Sequence, residues 1–498
     1  MGADWPTDGG NPKRNNWQQE ESILTPASVK DMQVIWKLKL DNAPRQMHSL
    51  FPALIVEKVH TSAGEKQIAL VAGVSDNVFA IDVNAGTLLW QKHFPYTSNK
   101  PFLGRHYMLC PGGLTATPVV GPLNANGSRT LYAVSWDGML HQLNVADGEE
   151  LATPRSFLPP DGKPYALNFN DGFVYTTTAQ SCGSTPNKIY SIDVSSPEGK
   201  VYSFSPGGNG GLWGRTGAAI GSDGTVYAPT GDGPFDPARH LLSEALVAVT
   251  GKDLQLKDYY APPNADFLWK RDLDMNVTPA IFDFKGRELL TTSSKECRVF
   301  LLDSQSLGGP DHRTALDRTP MLCNEEINFA AAGVWGSMAS WQDSDGTRWV
   351  LTPFWGPVHS KFKVPVSYGP VEHGAVVAFR VEEKNGKPGL TPAWMSRDLN
   401  QAEAPVIANG VVFAYGSGAN NTQATPTEGL DANNAPERIR KSTHAILYAL
   451  DARTGKELWS SGDQIASFAH FTGLSVANGR VYIGTYDGTV YCFGLPNH

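Results

Sequence analysis

The stretch Tyr448-Ala449-Leu450-Asp451-Ala452-Arg453-Thr454-Gly455-Lys456-Glu457-Leu458-Trp459 reads as one strand, a tight turn and the start of a second strand. Asp451 and Gly455 supply turn chemistry, and Trp459 opens the outer edge. The same spacing recurs in Phe79-Ala80-Ile81-Asp82-Val83-Asn84-Ala85-Gly86-Thr87-Leu88-Leu89-Trp90, with Ala, Gly and Trp at relative positions 1, 7 and 11. A Trp at that place can pack on the small Ala and Gly of a neighbouring unit. The motif is degraded elsewhere; the second unit carries Ala152 where Trp is expected.

A second element precedes it: apolar residues, Asn-Gly or Asp-Gly, then an aromatic-rich strand. Asn409-Gly410, Asn478-Gly479, Asp223-Gly224 and Asp171-Gly172 are its turns. Such dipeptides between apolar runs are strong hairpin signals. Together the elements mark eight units, beginning near His48, Leu114, Lys163, Arg215, Met275, Trp335, Gln401 and His470. Each spans about 62 residues, enough for four strands and their loops. No long amphipathic helix stands out. The expected fold is all-β, a single eight-bladed β-propeller over residues 1–498. The last unit ends soon after its third strand, so the N-terminal segment 1–40, through Val34-Ile35-Trp36-Lys37-Leu38, is expected to complete it and close the ring.

Composition agrees. The 498 residues include 50 Gly, 35 Pro and 13 Trp, and only 18 % are charged. That is too apolar for disorder. A net charge of −8 leaves no basic footprint for nucleic acid, and no apolar run is long enough to span a membrane. The start, Met-Gly-Ala-Asp-Trp-Pro, lacks the apolar stretch of a signal peptide and reads as a cytosolic start or a mature secreted chain with a cloning Met. The five Cys form neither a Cys-x-x-Cys zinc pattern nor a haem attachment site.

The long connections 91–113, 231–244, 355–373 and 416–444 all map to one face of such a ring, which marks that face as the working one. Cys110, Cys182, Cys297 and Cys323 map there too. The pairs Cys110–Cys182 and Cys297–Cys323 are geometrically possible, and would indicate a periplasmic or secreted compartment. Cys492 falls in mid-strand and is expected to be buried and free.

The eight unit starts form a column that should converge at the axial mouth. It holds two His, one Lys and one Arg, unusual for a packed lining. Lys163 and Arg215 suit a polycarboxylate ligand, Trp335 offers a flat face for a planar ring, and Gln401 is a further polar contact. His48 and His470, from units one and eight, form an alternative site for a shared transition metal.

The Trp repeats and the opening Asp4-Trp5-Pro6-Thr7-Asp8-Gly9-Gly10 resemble the quinoprotein alcohol dehydrogenases, which use pyrroloquinoline quinone (PQQ). The resemblance covers nearly the whole chain. Thr230-Gly231-Asp232-Gly233-Pro234-Phe235 is similar to the family's Thr-Gly-Asn-Pro-like calcium loop, which makes Asp232 a cation ligand. Thr178-Ala179-Gln180-Ser181 puts Gln180 where the family has a calcium-binding Glu. Arg271-Asp272-Leu273-Asp274-Met275-Asn276 resembles the run that carries the catalytic base, so Asp272 is the implied base and Asp274 its alternate. Gly333-Val334-Trp335-Gly336 resembles a segment near the quinone. The family's adjacent-cysteine pair is missing.

The resemblance thus implies PQQ and calcium at the mouth. Oxidation of an alcohol or sugar hydroxyl would have Asp272 as proton acceptor and Glu403 as a further acid or base. Two alternatives stand beside it: a non-catalytic propeller scaffold, as in outer-membrane assembly lipoproteins of this fold, and an enzyme using a metal held by His48 and His470.

Overall fold

The computed structural model describes residues 3–99, 109–420 and 435–496. Eight small antiparallel sheets follow one another around an axis, as the repeats predict. The first blade is Leu54–Thr61, Gly64–Gly73, Asn77–Asp82 and Thr87–His93, paired in that order. The seventh is Val406–Ala408, Val411–Gly416, Ile446–Asp451 and Glu457–Ser460. Among the described residues the α-helices are short, Ala265–Lys270 and Ala435–Lys441. None is long and apolar enough to cross a membrane.

The core lies between blades. Leu54, Leu70 and Ala80 of the first blade pack with Val120, Leu131 and Leu143 of the second. The Trp motif supplies the seam. Trp90 of blade one lies on Gly148 of blade two, where a Cβ would come within 2.7 Å of the ring. Its indole N–H donates to the Val145 carbonyl at 3.0 Å. Trp394 repeats this on Gly455 and Ala452, and Trp36 on Gly86 and Val83. The glycine has a left-handed backbone each time (φ +75° at Gly148, +74° at Gly455), so the turn and the indole both require it.

The ring closes as expected: Gln33–Lys39 pairs antiparallel with Thr489–Gly494 as outer strand of the eighth blade. Only this part of the N-terminal segment pairs as a strand of that blade. Residues 3–18 run instead as a strap around the inside of the ring. Trp5 exchanges backbone hydrogen bonds with Ile55 in blade one, and the Pro6 carbonyl accepts from the Val120 N–H in blade two. Thr7 donates to the Leu167 carbonyl, ahead of blade three. The carbonyls of Pro12, Lys13, Asn15 and Asn16 accept from Ile220, Ile281, Ser340 and Ile407 in blades four to seven. The Gln18 amide donates to Val476 in blade eight. The strap therefore bonds to every blade. Arg14, fully buried within it, donates to Thr7, to the Asp8 and Ala218 carbonyls, and to Leu167 at 2.8 Å.

Both pairs that the sequence made possible are disulfides, Cys110–Cys182 and Cys297–Cys323, and Cys492 is buried and free as expected. Parts of two of the long loops, 100–108 and 421–434, lie outside the described residues.

Candidate active site at the axial mouth

A cavity of about 130 Å³ opens at the mouth, lined by His48, Lys163, Arg215, Trp335 and His470 from the predicted column. Each inner strand begins at this end, which brings these five residues to the cavity. The remaining column positions lie behind the wall: Leu114 and Met275 are in the apolar core, and Gln401 is buried against Ser417.

Asp232, Asp272 and Asp274 converge, each presenting a carboxylate oxygen within 4.8 Å of the others. Asp232 follows the second strand of blade four, Val226–Gly231, and its N–H donates to Asp274 at 3.0 Å. Gly231 beside it has no room for a side chain, since a Cβ would lie 2.5 Å from that of Asp274. Lys295, buried and lining the cavity, bridges Asp272 at 2.8 Å and Asp274 at 2.6 Å. Its ammonium lies 5.2 Å from the Trp335 ring centre and 6.0 Å from that of Trp213.

Crowding of like charges splits the three acids. Asp232 still reaches solvent, yet burial and the charge of Asp274 push it up to about 8. Burial also lifts Asp272, to about 6, with Asp274 adding and Lys295 opposing. Burial acts upward on Asp274 as well, but the Lys295 ion pair and the Asp232 N–H outweigh it and hold it below the ordinary value. Glu244 is fully buried nearby. Burial and the charges of Asp274 and Asp232 drive it well upward. A group this rich in oxygen donors suits a hard cation such as calcium.

Gln180 sits in a left-handed turn (φ +69°) next to Ala179, and its amide hydrogen-bonds none of the three aspartates. Arg215 lines the cavity, but its guanidinium is gripped by Asp8 of the strap, at 2.7 and 3.2 Å. Glu403 lies behind the wall. It accepts from the Tyr415 hydroxyl at 2.5 Å and the Phe471 N–H at 2.7 Å, and burial pushes it up to about 7. Trp335 stacks on Trp355 with centres 4.9 Å apart.

His48 and His470 both reach the cavity, each with a buried ring Nδ1 that has no partner. Among the described residues no third His, Cys or carboxylate joins them to hold a metal. Burial, then Lys163 and Arg438, pushes His48 down to about 3; burial, Arg438 and His48 take His470 well below its ordinary value. Both imidazoles are therefore neutral.

Sequence reasoning missed Lys295, Trp213, Trp355, Arg438 and Glu244. Trp213 stands two residues before column member Arg215, and Lys295 two before Cys297 in a mouth-face loop. Glu244, Trp355 and Arg438 lie within or at the ends of long loops already marked by length. Their positions on the working face were the available signal.

No curated protein sequence matches the chain. The profile of a family described as outer membrane protein assembly factor BamB matches residues 443–495. Solved structures match throughout. The quinohaemoprotein alcohol dehydrogenase of Comamonas testosteroni is 14 % identical with a TM-score of 0.65, covering 100 % of this chain and 81 % of that one. A europium-containing methanol dehydrogenase is 12 % identical with a TM-score of 0.62, covering 99 % and 98 %. A quinohaemoprotein alcohol dehydrogenase of Pseudomonas putida HK5 gives 13 %, 0.60, and coverage of 100 % and 81 %. The fold is the eight-bladed propeller of the PQQ-type dehydrogenases, and the resemblance read from the repeats holds at that level.

Proposed function

We propose that the protein is a PQQ-type dehydrogenase that oxidises an alcohol or sugar hydroxyl at the axial mouth. The observation that carries this is the convergence of Asp232, Asp272 and Asp274 beside a cavity lined by three indoles and two buried lysines. These residues fit a planar, carboxylate-bearing quinone with a hard cation. Asp232 and Asp274 would hold the cation, with Gln180 as a further oxygen donor from the neighbouring turn. Lys163 would meet a cofactor carboxylate, and Trp335 and Trp213 would bracket the ring; Arg215, tied to Asp8, shapes the floor. When bound, PQQ supplies a two-electron acceptor and the cation a Lewis acid.

The chain's own residues do the rest. Asp272, lifted to about 6 chiefly by burial, would take the substrate hydroxyl proton. Lys295 orients Asp272 and Asp274 and stabilises charge at the mouth. Gln401 and Glu403 support the wall from behind, Glu403 by holding the Phe471 N–H. The two disulfides support a periplasmic or secreted location.

Reconstitution with PQQ and calcium tests the reading. Stoichiometric bound quinone, seen by absorbance, with alcohol-dependent dye reduction lost in Asp272→Asn, is expected. Failure to bind quinone overturns it. A non-catalytic scaffold is the second reading, favoured by the BamB-type match over residues 443–495; it requires that same failure.

A further inference from the structure

The cavity holds a second group of side chains that the aspartate chemistry does not use. His48 comes from blade one, Lys163 from the turn ahead of blade three, His470 from blade eight and Arg438 from the helix Ala435–Lys441; all four line the cavity. Lys163 is more than nine-tenths buried. Its ammonium is in no ion pair among the described residues, and burial alone pushes it down to about 8. Among the described residues, the charged or titratable groups that face the two imidazoles are Lys163, Arg438 and each other, and no carboxylate there pulls them up. Leaving a buried ammonium without a counter-ion is costly, and a protein tolerates it where a ligand brings the missing charge.

We propose that His48, Lys163, Arg438 and His470 form a subsite for a ligand carboxylate, and that the two imidazoles take up protons as that carboxylate arrives. The proposal rests on the mouth being the ligand site. Each imidazole lines the cavity, and protonation makes both of its ring nitrogens donors, so that an incoming carboxylate oxygen can accept from the one that faces it. With the cavity empty, burial and two fixed cations forbid the charge. A carboxylate reverses the sign of the local field and restores it. The carboxylate could belong to the cofactor or to the substrate, and the two sources are separable.

The test is calorimetric titration of the full chain with benzene-1,3,5-tricarboxylate, and separately with PQQ, in phosphate and in Tris at pH 6.5. Uptake of about one proton per bound ligand is expected, read from the heat difference between buffers. Uptake should fall by at least about half in the His48→Gln/His470→Gln variant while binding persists. Affinity should drop about tenfold or more in Lys163→Met, with circular dichroism unchanged. Buffer-independent heats, or tricarboxylate binding unaltered in Lys163→Met, overturn the subsite. If saturating PQQ competes with the tricarboxylate, the site serves the cofactor. If a small hydroxy acid such as lactate still binds the PQQ-loaded protein with proton uptake, it serves the substrate. Proton-linked tricarboxylate binding without PQQ binding supports the subsite and overturns the quinone reading. PQQ binding without proton uptake does the reverse, and binding of neither ligand overturns both.

Discussion

Asp8 accepts both arms of the Arg215 guanidinium although 207 residues separate them. The carboxylate is 2 % exposed, and the pair joins the strap to the floor of the cavity. This contact makes the N-terminal segment part of the mouth as well as part of the ring.

Breaking the pair on one side leaves a buried, uncompensated cation. Asp8→Ala should therefore lose about 3–5 kcal/mol of stability in urea unfolding. A loss below about 1 kcal/mol would mean that water or Thr7 replaces the carboxylate.

Glu403 gives the fold a pH dependence of defined sign. Burial raises it from 4.5 to about 7 while Tyr415 and Phe471 hold it in place. The folded state thus keeps a proton that the unfolded chain releases. This stabilisation is complete below about pH 4.5 and is lost as pH rises through about 7, amounting to about 3 kcal/mol. Unfolding midpoints measured from pH 4.5 to 8 should decline, and Glu403→Gln should flatten that component. An unchanged slope in the variant would assign it to other groups.

A hard cation at the three aspartates should stabilise the folded chain. At a hundredfold excess over its dissociation constant, calcium would add about 2.7 kcal/mol. Differential scanning calorimetry with calcium and with chelator would show this as a raised midpoint. Asp274→Asn should abolish the increment; a midpoint indifferent to calcium in the parent protein would count against a cation there.

Reduction of the disulfides should destabilise the working face. Cys110–Cys182 closes a separation of 72 residues and Cys297–Cys323 one of 26. Chain-entropy reasoning gives about 3–5 kcal/mol for each. Urea unfolding with and without dithiothreitol measures the sum, and paired Cys→Ser variants divide it.

The ring was legible because each blade repeats one local code. That a motif Trp packs on a small residue of the next unit follows from spacing, as with Trp90 on Gly148, and closure through Val34–Leu38 follows from the fourth strand that the last unit lacks. The mouth column was readable at His48 and Lys163, which line the cavity. It failed at Gln401, whose left-handed backbone (φ +53°) accompanies a side chain turned into the wall. The role of Arg215 was hidden because its partner comes from a strap with no repeat of its own. Lys295 was hidden because an ion pair between loops of one blade leaves no period to detect.

The strap carries a consequence for biosynthesis. It is made before any blade, yet Ala3 and Gln18 find Asn478 and Val476 only when the eighth blade emerges. A nascent chain therefore stays unclasped until the eighth blade has been made. A prematurely terminated product would leave its leading segment dangling, an open target for proteolytic quality control.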